Sequence, residues 1–292
     1  MNEMKTYGGS AKLILRIRFW GLVLATMIAA TGASGCRAQQ NIAVTNPWIE
    51  AAVRDVGGKS VSVLEMAAPQ NDQRNIELTQ AHLEQLAGCG QLIRFDYQSA
   101  IDAQAARSMA KGARINEIHP NEGLSIPSTY EDCCRQAAEH LCAMGQIRRW
   151  TANRRLKAIN ARLSALSEEM LKAIATAGIA DAPVICSMEQ EAFARWMGLD
   201  VVATYISEGE NPADSLKKAI ETTKGRKVRF IIVEARHYPG VQEAAGLLPD
   251  KPMVILRSQP DMTLEKKTFD AMLRANVAAM TAAAVPAGPA TK

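Results

Sequence analysis

The stretch that decides the fold is Trp150–Ala177, with the sequence WTANRRLKAINARLSALSEEMLKAIATA. Its apolar residues recur at steps of three and four: Leu156, Ile159, Leu163, Leu166, Met170 and Ile174. This period predicts one amphipathic helix, about 42 Å long at the usual rise per residue. Neither glycine nor proline interrupts the stretch, whereas Gly178 and Pro183 follow it and predict where the helix ends.

Short apolar runs alternate with helical patterns on both sides of this helix. The predicted strands are Asn41–Thr45, Ser60–Ala67, Gln91–Phe95 and a short one at Ile115 before it, and Pro183–Ser187, Val201–Tyr205, Val228–Val233 and Met253–Leu256 after it. Strands that alternate with helices form mainly parallel sheets flanked by helices. We therefore expect an α/β fold of two lobes, each with a mainly parallel sheet, joined by one long backbone helix. The alternative is a single domain that contains one long amphipathic helix.

The predicted chain organisation has five parts. They are a signal peptide over 1–36, an N-terminal α/β lobe over 41–147, the linking helix over 148–178, a C-terminal α/β lobe over 179–284 and a disordered tail over 285–292. Within the first lobe, Ser128-Thr129-Tyr130-Glu131 has the pattern of a capping box and predicts the start of a helix. The tail is rich in proline, alanine and glycine, a composition that does not support a packed core.

The first 36 residues have the pattern of a secretory signal. Basic residues precede the uncharged apolar run Phe19–Ala30, which is short for a membrane-spanning helix. The following Ala33-Ser34-Gly35-Cys36 resembles the end of a bacterial lipoprotein signal, in which the cysteine carries the lipid. We expect an exported protein, in the periplasm or at the outer face of the membrane, anchored through a lipid on Cys36. A plain signal peptide with a chance cysteine is the alternative.

The composition is that of an ordinary globular protein. Of 292 residues, 48% are hydrophobic and 22% are charged, and the net charge is +4. A basic cluster lies early in the long helix, formed by Arg148, Arg149, Arg154, Arg155 and Lys157. Nucleic-acid binding needs aromatic side chains interleaved with such charges, and only Trp150 is near. We therefore predict a solvated helix face and no nucleic-acid partner.

The spacing of the cysteines and the absence of known catalytic motifs favour a binding protein over an enzyme. Apart from Cys36 there are five cysteines, an odd number without a Cys-x-x-Cys pair, so neither a zinc knuckle nor a redox motif is present. The disulfide pairing stays open among Cys89, Cys133, Cys134, Cys142 and Cys186. No nucleophile elbow, phosphate loop, zinc-protease helix or kinase signature occurs, and we predict no enzymatic activity.

Five short stretches follow, in order, the pattern of one family. Pro69–Thr79 is similar to a Pro-x-x-x-Asp-Pro-His-x-Tyr-Glu-Pro-Thr loop, and Ala192–Leu199 is similar to a Tyr-Phe-Ala-Arg-x-Tyr-Gly-Leu helix end. The other three are Ile42–Thr45 with the later Gly57-Gly58, Glu210–Ala213 and Phe230–Glu234. Over about Asn41–Met280 the chain thus resembles the zinc- and manganese-binding receptors of ABC transporters, whose two lobes are joined by a single long helix.

The resemblance implies a metal site between the lobes, usually of three histidines and a carboxylate. In this chain the histidine positions fall on Arg74, Glu122 and Ser187, and the carboxylate position falls on Arg257. Arginine offers only donors and stays charged, whereas zinc needs imidazole, thiolate or carboxylate ligands. The resemblance alone would imply that zinc or manganese binds here. Because of these replacements we expect no classical coordination of either metal, and we expect no other cofactor.

Several alternatives for this altered cleft stay open. The arginines grip a small oxyanion bidentately, or Arg74 or Arg257 forms an ion pair with Glu122 that joins the lobes. The arginines could also point to solvent in a decayed cleft. An altered metal site would be built from His119, Glu122, Cys186 and Glu189.

The predicted function is that of an extracytoplasmic solute-binding protein for a small inorganic ion. The resemblance implies an ABC-transporter permease in the membrane as its partner, and we expect a monomer. The alternative is a non-transport surface scaffold or interaction protein on the same fold. Glu234, which the family also has after a buried strand, is expected to be a structural hydrogen-bonding group and not a ligand.

Overall fold

The computed structural model describes residues 41–66, 76–121, 123–207, 209, 211–223, 225–245, 252–260 and 268–284, without the side chains of 243–245. All of them belong to one compact unit, residues 39–292. The leader, the lipid-anchor position Cys36, and the tail over 285–292 lie outside the described residues.

The described residues of the N-terminal lobe form four strands and four α-helices. The strands are β1 (Asn41–Val44), β2 (Val63–Glu65), β3 (Cys89–Phe95) and β4 (Arg114–Ile118), and the helices are α1 (Pro47–Gly57), α2 (Gln80–Leu86), α3 (Asp102–Ser108) and α4 (Pro127–Ala143). The strands form one sheet in the order β2-β1-β3-β4, and every neighbouring pair is parallel.

The C-terminal lobe repeats this topology. Its strands are β5 (Pro183–Ser187), β6 (Asp200–Tyr205), β7 (Phe230–Glu234) and β8 (Met253–Leu256), and its helices are α6 (Met188–Trp196), α7 (Pro212–Thr222), α8 (Tyr238–Ala245) and α9 (Phe269–Ala284). The sheet order is β6-β5-β7-β8, again with parallel pairs throughout. The predicted two-lobe α/β class is confirmed, because each half of the chain has its own parallel sheet.

The two lobes are joined by the long helix α5, which spans Arg149–Thr176. Its buried stripe consists of Ala152, Ile159, Leu163, Leu166, Met170 and Ile174, and Leu156 is partly buried beside it. The helix ends at Thr176 with Ala177 as its C-cap, and Gly178 adopts a φ of 66°, a left-handed conformation that costs glycine little. The predicted helix is therefore confirmed, with each end one residue earlier than in the predicted stretch Trp150–Ala177.

Hydrophobic packing is continuous from one lobe to the other. Side chains alternate along a strand, so Ile42 and Val44 of β1 lie in the larger core and Ala43 lies in a smaller one. The larger core also contains Val184 of β5 and the buried stripe of α5. A third cluster covers the other face of the C-terminal sheet.

Three local predictions were wrong in their bounds. The capping box at Ser128 does not form, because the helix begins at Pro127 and Ile126 occupies the N-cap position. Proline lacks an N–H and has a helical φ, so it suits the first turn and places Ser128 inside the helix. The strand expected over 60–67 is shortened to β2. The alanine content of Gln98–Lys111 predicts one helix, whereas the structure has a 3₁₀ turn, Asp96–Ile101, followed by α3.

No helix in the described part of the chain combines the length and the apolar character that a membrane span requires.

Candidate functional site

Polar side chains gather at the carboxyl ends of the parallel strands. In a sheet of order 2-1-3-4, the crevice between the first and third strands is the usual position for a ligand, because the connections leave in opposite directions there. In the C-terminal lobe this crevice lies between β5 and β7, which end at Ser187 and Glu234. In the N-terminal lobe it lies between β1 and β3, which are followed by Thr45 and Asp96.

Glu234 is the centre of the polar network in the C-terminal lobe. Its side chain is buried, yet its carboxylate accepts hydrogen bonds from Gln190 Nε2 at 2.9 Å, Ser258 Oγ at 3.0 Å and Arg236 Nε at 3.0 Å. A buried carboxylate needs such donors, because burial without them is costly. The expectation that Glu234 is a structural hydrogen-bonding group is confirmed.

Ser187 lies beside this network with an unused hydroxyl. It is fully buried at the end of β5, and its Oγ has no hydrogen-bond partner among the described residues. Ser187 and Gln190 have the residue types of a capping box, but the Gln190 amide is engaged by Glu234 and Ser258, and the cap does not form. Gln190 Oε1 is likewise buried and unpartnered.

Arg257 follows β8 and is fixed by its backbone at the junction of the lobes. Its N–H donates to Asn276 Oδ1 at 2.9 Å, and its carbonyl accepts from Asn276 Nδ2 at 2.8 Å. The same carbonyl accepts from Ser125 Oγ of the N-terminal lobe at 3.2 Å. Arg257 is therefore held where the two lobes meet.

The loop before α4 makes this contact between the lobes. The Leu124 carbonyl accepts from Trp48 Nε1 at 2.8 Å, which fixes the loop on its own lobe. A Cβ at Gly123 would lie 3.0 Å from Cβ of Ala192 in α6, so the loop backbone is close to the other lobe. Gly123 also has a φ of 78°, and both facts favour glycine at this position.

The N-terminal lobe contributes a separate polar group. Thr45 Oγ1 donates to Gln98 Oε1 at 2.6 Å, and the Phe95 N–H donates to the same oxygen at 2.9 Å. The two ring nitrogens of His119 lie 3.0 Å from Asp96 Oδ2 and 3.3 Å from Glu117 Oε1. His119 is thus held by carboxylates of its own lobe.

Of the four predicted ligand positions, the structure describes two. Ser187 and Arg257 lie at the carboxyl ends of β5 and β8, on the same edge of one sheet, whereas Arg74 and Glu122 lie outside the described residues. The ion pair of Arg74 or Arg257 with Glu122 falls outside them as well. Sequence reasoning missed Gln190 and Ser258, because the Ser187-x-x-Gln190 spacing predicts a helix cap and not a contact with Glu234.

The alternative of an altered metal site built from His119, Glu122, Cys186 and Glu189 is not assembled by the described members of that set. Glu189 accepts a hydrogen bond from Ser207 Oγ at 2.8 Å, and that hydroxyl lies 2.7 Å from His237 Nδ1. Cys186 is fully buried, and burial raises the pKa of its thiol to about 12, so it is not a thiolate at neutral pH. Within the ranges that the structure describes, no three histidine, cysteine, aspartate or glutamate side chains are grouped to hold a metal ion.

Comparisons with known proteins agree with this architecture. Residues 42–283 match the model of the ZnuA family, described as the periplasmic component A of the zinc-uptake complex. No curated protein matches the chain.

Solved structures of similar fold include three metal-bound or metal-binding proteins. A ZnuA deletion mutant with zinc bound is 17% identical, with a TM-score of 0.68 over 86% of this chain and 99% of that chain. The periplasmic zinc-binding protein TroA from Treponema pallidum is 13% identical, with a TM-score of 0.68 over 85% and 100%. A manganese-bound periplasmic metal-binding protein from Candidatus Liberibacter asiaticus is 11% identical, with a TM-score of 0.68 over 84% and 100%. At these identities the likeness shows the fold alone.

Proposed function

The chain belongs to the ZnuA family of periplasmic zinc-uptake components, and from that premise we propose that it is the extracytoplasmic receptor of an ABC importer for a small inorganic ion. It would act outside the cytoplasm as a monomer, anchored through Cys36, and deliver its ligand to a permease in the membrane. The division into a leader, two lobes and a linking helix, with the bounds expected from the sequence, is part of this proposal. Its role is binding and not catalysis.

The cleft of this receptor does not hold zinc or manganese as its relatives do. A serine hydroxyl stands at one ligand position and a guanidinium at another, and neither is a ligand that zinc prefers. The position of Arg257 carries the proposal, because Asn276 and Ser125 hold its backbone at the lobe junction. Arg74 stands at a third ligand position, so two of the four positions are cationic.

A small oxyanion is the ligand class that these residues fit. Guanidinium groups bind the oxygens of phosphate-like or carboxylate anions bidentately, and the unused Ser187 hydroxyl can donate to the same anion. The first turn of α6 contains Glu189 and Glu191, which repel an anion near Ser187. The anion would therefore be held mainly from the side of Arg257.

Elemental analysis and thermal unfolding test this proposal together. Purified protein should retain no stoichiometric zinc or manganese after dialysis, and phosphate or sulfate should raise its Tm because a ligand stabilises the state that binds it. Arg257→Gln should abolish the rise, whereas the exposed Arg226→Gln should keep it. Stoichiometric zinc or manganese in the unchanged protein that is absent from the Ser187→Ala variant would contradict the proposal that the ligand is an oxyanion.

A non-transport scaffold is the second candidate, and one feature favours it. The lobes are joined by the Ser125–Arg257 hydrogen bond and by a continuous core, both made by protein groups alone. If neither metal ions nor oxyanions change the Tm, and no permease is recovered by crosslinking in membranes, this second function replaces the first.

A further inference from the structure

A cationic surface with one exposed tryptophan lies at the start of α5. We call it the basic face, and it consists of Arg148, Arg149, Trp150, Arg154 and Lys157. Trp150 is 58% exposed, and the four cationic residues are exposed as well. Trp150, Arg154 and Lys157 follow one another at steps of four and three. They therefore share one side of the helix, opposite the buried stripe.

The charges of the basic face have no ion-pair partner in the part of the chain that the structure describes. No hydrogen bond or ion pair within the described residues engages the side chains of Arg148, Arg149 or Lys157, and Arg154 lies over the Trp150 ring at 5.3 Å. The first acidic residue of α5 is Glu168. Positive charge in the first turn of a helix also opposes the helix dipole. Helix stability therefore does not explain this cluster.

The basic face lies at the outer end of the N-terminal lobe. Arg155 Nη1 donates to the Val56 carbonyl at 2.6 Å, which ties the start of α5 to the end of α1. The exposed Lys59 follows α1 and adds a further charge at this end. Helix α4 leads to this end from the lobe junction and is about 25 Å long at the usual rise.

The described chain also begins at this end of the lobe. β1 starts at Asn41, on the sheet edge opposite the ligand crevice, and α1 runs back to that edge because it follows a parallel strand. Cys36 precedes Asn41 by five residues, which span at most about 18 Å when fully extended. A lipid on Cys36 would therefore tether this end of the protein to the membrane.

We propose that the basic face docks on the anionic phospholipid headgroups of the membrane. Arginine and lysine bind lipid phosphates, and tryptophan prefers the headgroup region because its ring is apolar and its N–H is polar. Acidic protein surfaces would match the charge as well, but the exposed indole and the nearby anchor position favour the bilayer. Docking by this face uses the end of the lobe opposite the cleft, so it describes the protein between deliveries of ligand to the permease, when the cleft faces away from the bilayer.

Vesicle binding tests the proposal on the protein as isolated from cells. The partition coefficient is measured on vesicles of phosphatidylcholine alone and on vesicles of phosphatidylcholine mixed with phosphatidylglycerol. The ratio of the second coefficient to the first removes any contribution of a lipid anchor, because the anchor contributes to both. Each cationic side chain strengthens binding to an anionic bilayer about fivefold. A triple variant should therefore lower this ratio of partition coefficients by about a hundredfold. It combines Arg149→Gln, Arg154→Gln and Lys157→Gln.

A matched control removes three exposed lysines elsewhere, Lys172→Gln with Lys218→Gln and Lys227→Gln, and should keep the ratio near that of the unchanged protein. Brominated anionic lipids should quench Trp150 fluorescence, and Trp150→Phe should remove that quenching. Equal losses in the two triple variants would show that only net charge matters and would overturn the proposal. Retention on immobilised polyglutamate without vesicle binding would assign the basic face to an acidic protein instead.

Discussion

Tyr130 of α4 and Phe269 of α9 stack face to face, with ring centroids 4.1 Å apart and planes 11° from parallel. The pair joins the two lobes, because α4 belongs to the first and α9 to the second. The Tyr130 hydroxyl donates to Asp55 Oδ2 at 2.8 Å, and Arg162 Nη2 of the linking helix donates to the same oxygen at 2.6 Å. Arg162 Nε also lies 3.4 Å from Asp270 Oδ2, so one guanidinium bridges a carboxylate of each lobe.

Phe269→Ala should destabilise the protein by about 3–5 kcal/mol, because it leaves a cavity where a buried ring was packed between the lobes. Urea unfolding followed by circular dichroism measures the loss. Phe269→Leu keeps most of the apolar volume and should cost less than about 1.5 kcal/mol. The exposed Trp150→Ala is the control and should change stability by less than about 0.5 kcal/mol. A Phe269→Ala protein as stable as this control would contradict the role of the stack.

The Asp270→Asn variant should show how much the Asp270 carboxyl group makes the stability of the protein depend on pH. Burial raises the pKa of Asp270 above its ordinary 3.8, and the neighbouring Arg162 offsets this only in part. A carboxyl group whose pKa is raised on folding contributes stability that is full below pH 3.8 and is lost as the pH rises through the folded-state pKa. Asparagine does not titrate, so the difference in stability between the unchanged protein and Asp270→Asn isolates this contribution.

We expect that difference to shift in favour of the unchanged protein as the pH falls from 7 towards 3.8. Unfolding free energies of both proteins, measured across this range, give the trend. A constant difference, or a shift in the opposite direction, would show that Asp270 is not held in a desolvated position.

Gln190→Glu should destabilise the C-terminal lobe more than Gln190→Leu at neutral pH. The leucine variant removes one donor from the buried Glu234, which costs about 1–3 kcal/mol. The glutamate variant adds a second carboxylate where the amide nitrogen now lies 2.9 Å from Glu234 Oε2, and two buried like charges repel. Acid should reduce the difference in stability between the variants, because the introduced carboxyl group becomes protonated and loses its charge. Equal stability of the two variants at neutral pH would be the contrary result.

Iodoacetamide should label Cys142 before the other four described cysteines in the folded protein. All five are free thiols, and Cys142 is partly exposed, whereas Cys89, Cys133, Cys134 and Cys186 are buried. Burial raises the pKa of each of these four thiols, which suppresses the reactive thiolate. Peptide mass spectrometry identifies the labelled site, and Cys142→Ser should remove the early product. Early labelling of Cys186 would contradict its burial at the end of β5.

The long helix and the strands on either side of it could be read from the sequence because their signals are local. The spacing of apolar residues fixed the buried stripe of α5 from Ile159 to Ile174, and alternation of strands and helices indicated two parallel sheets. The five family-like stretches indicated the receptor family, which the match over residues 42–283 confirms. The bounds of α3 and α4 were less accurate, since turn geometry there depends on single residues such as Pro127.

The sequence by itself determined the fold class, the linking helix and the family, because hydrophobic period and short motifs act over a few residues at a time. Only the tertiary structure decided what the polar residues do. Asp55 pairs with Arg162 across 107 residues, and Ser125 bonds the carbonyl of Arg257 across 132. No local pattern specifies such contacts, because they form only when separate elements pack and most buried polar groups then find hydrogen-bond partners. For that reason the Gln190 side chain donates a hydrogen bond to Glu234 and does not cap its own helix.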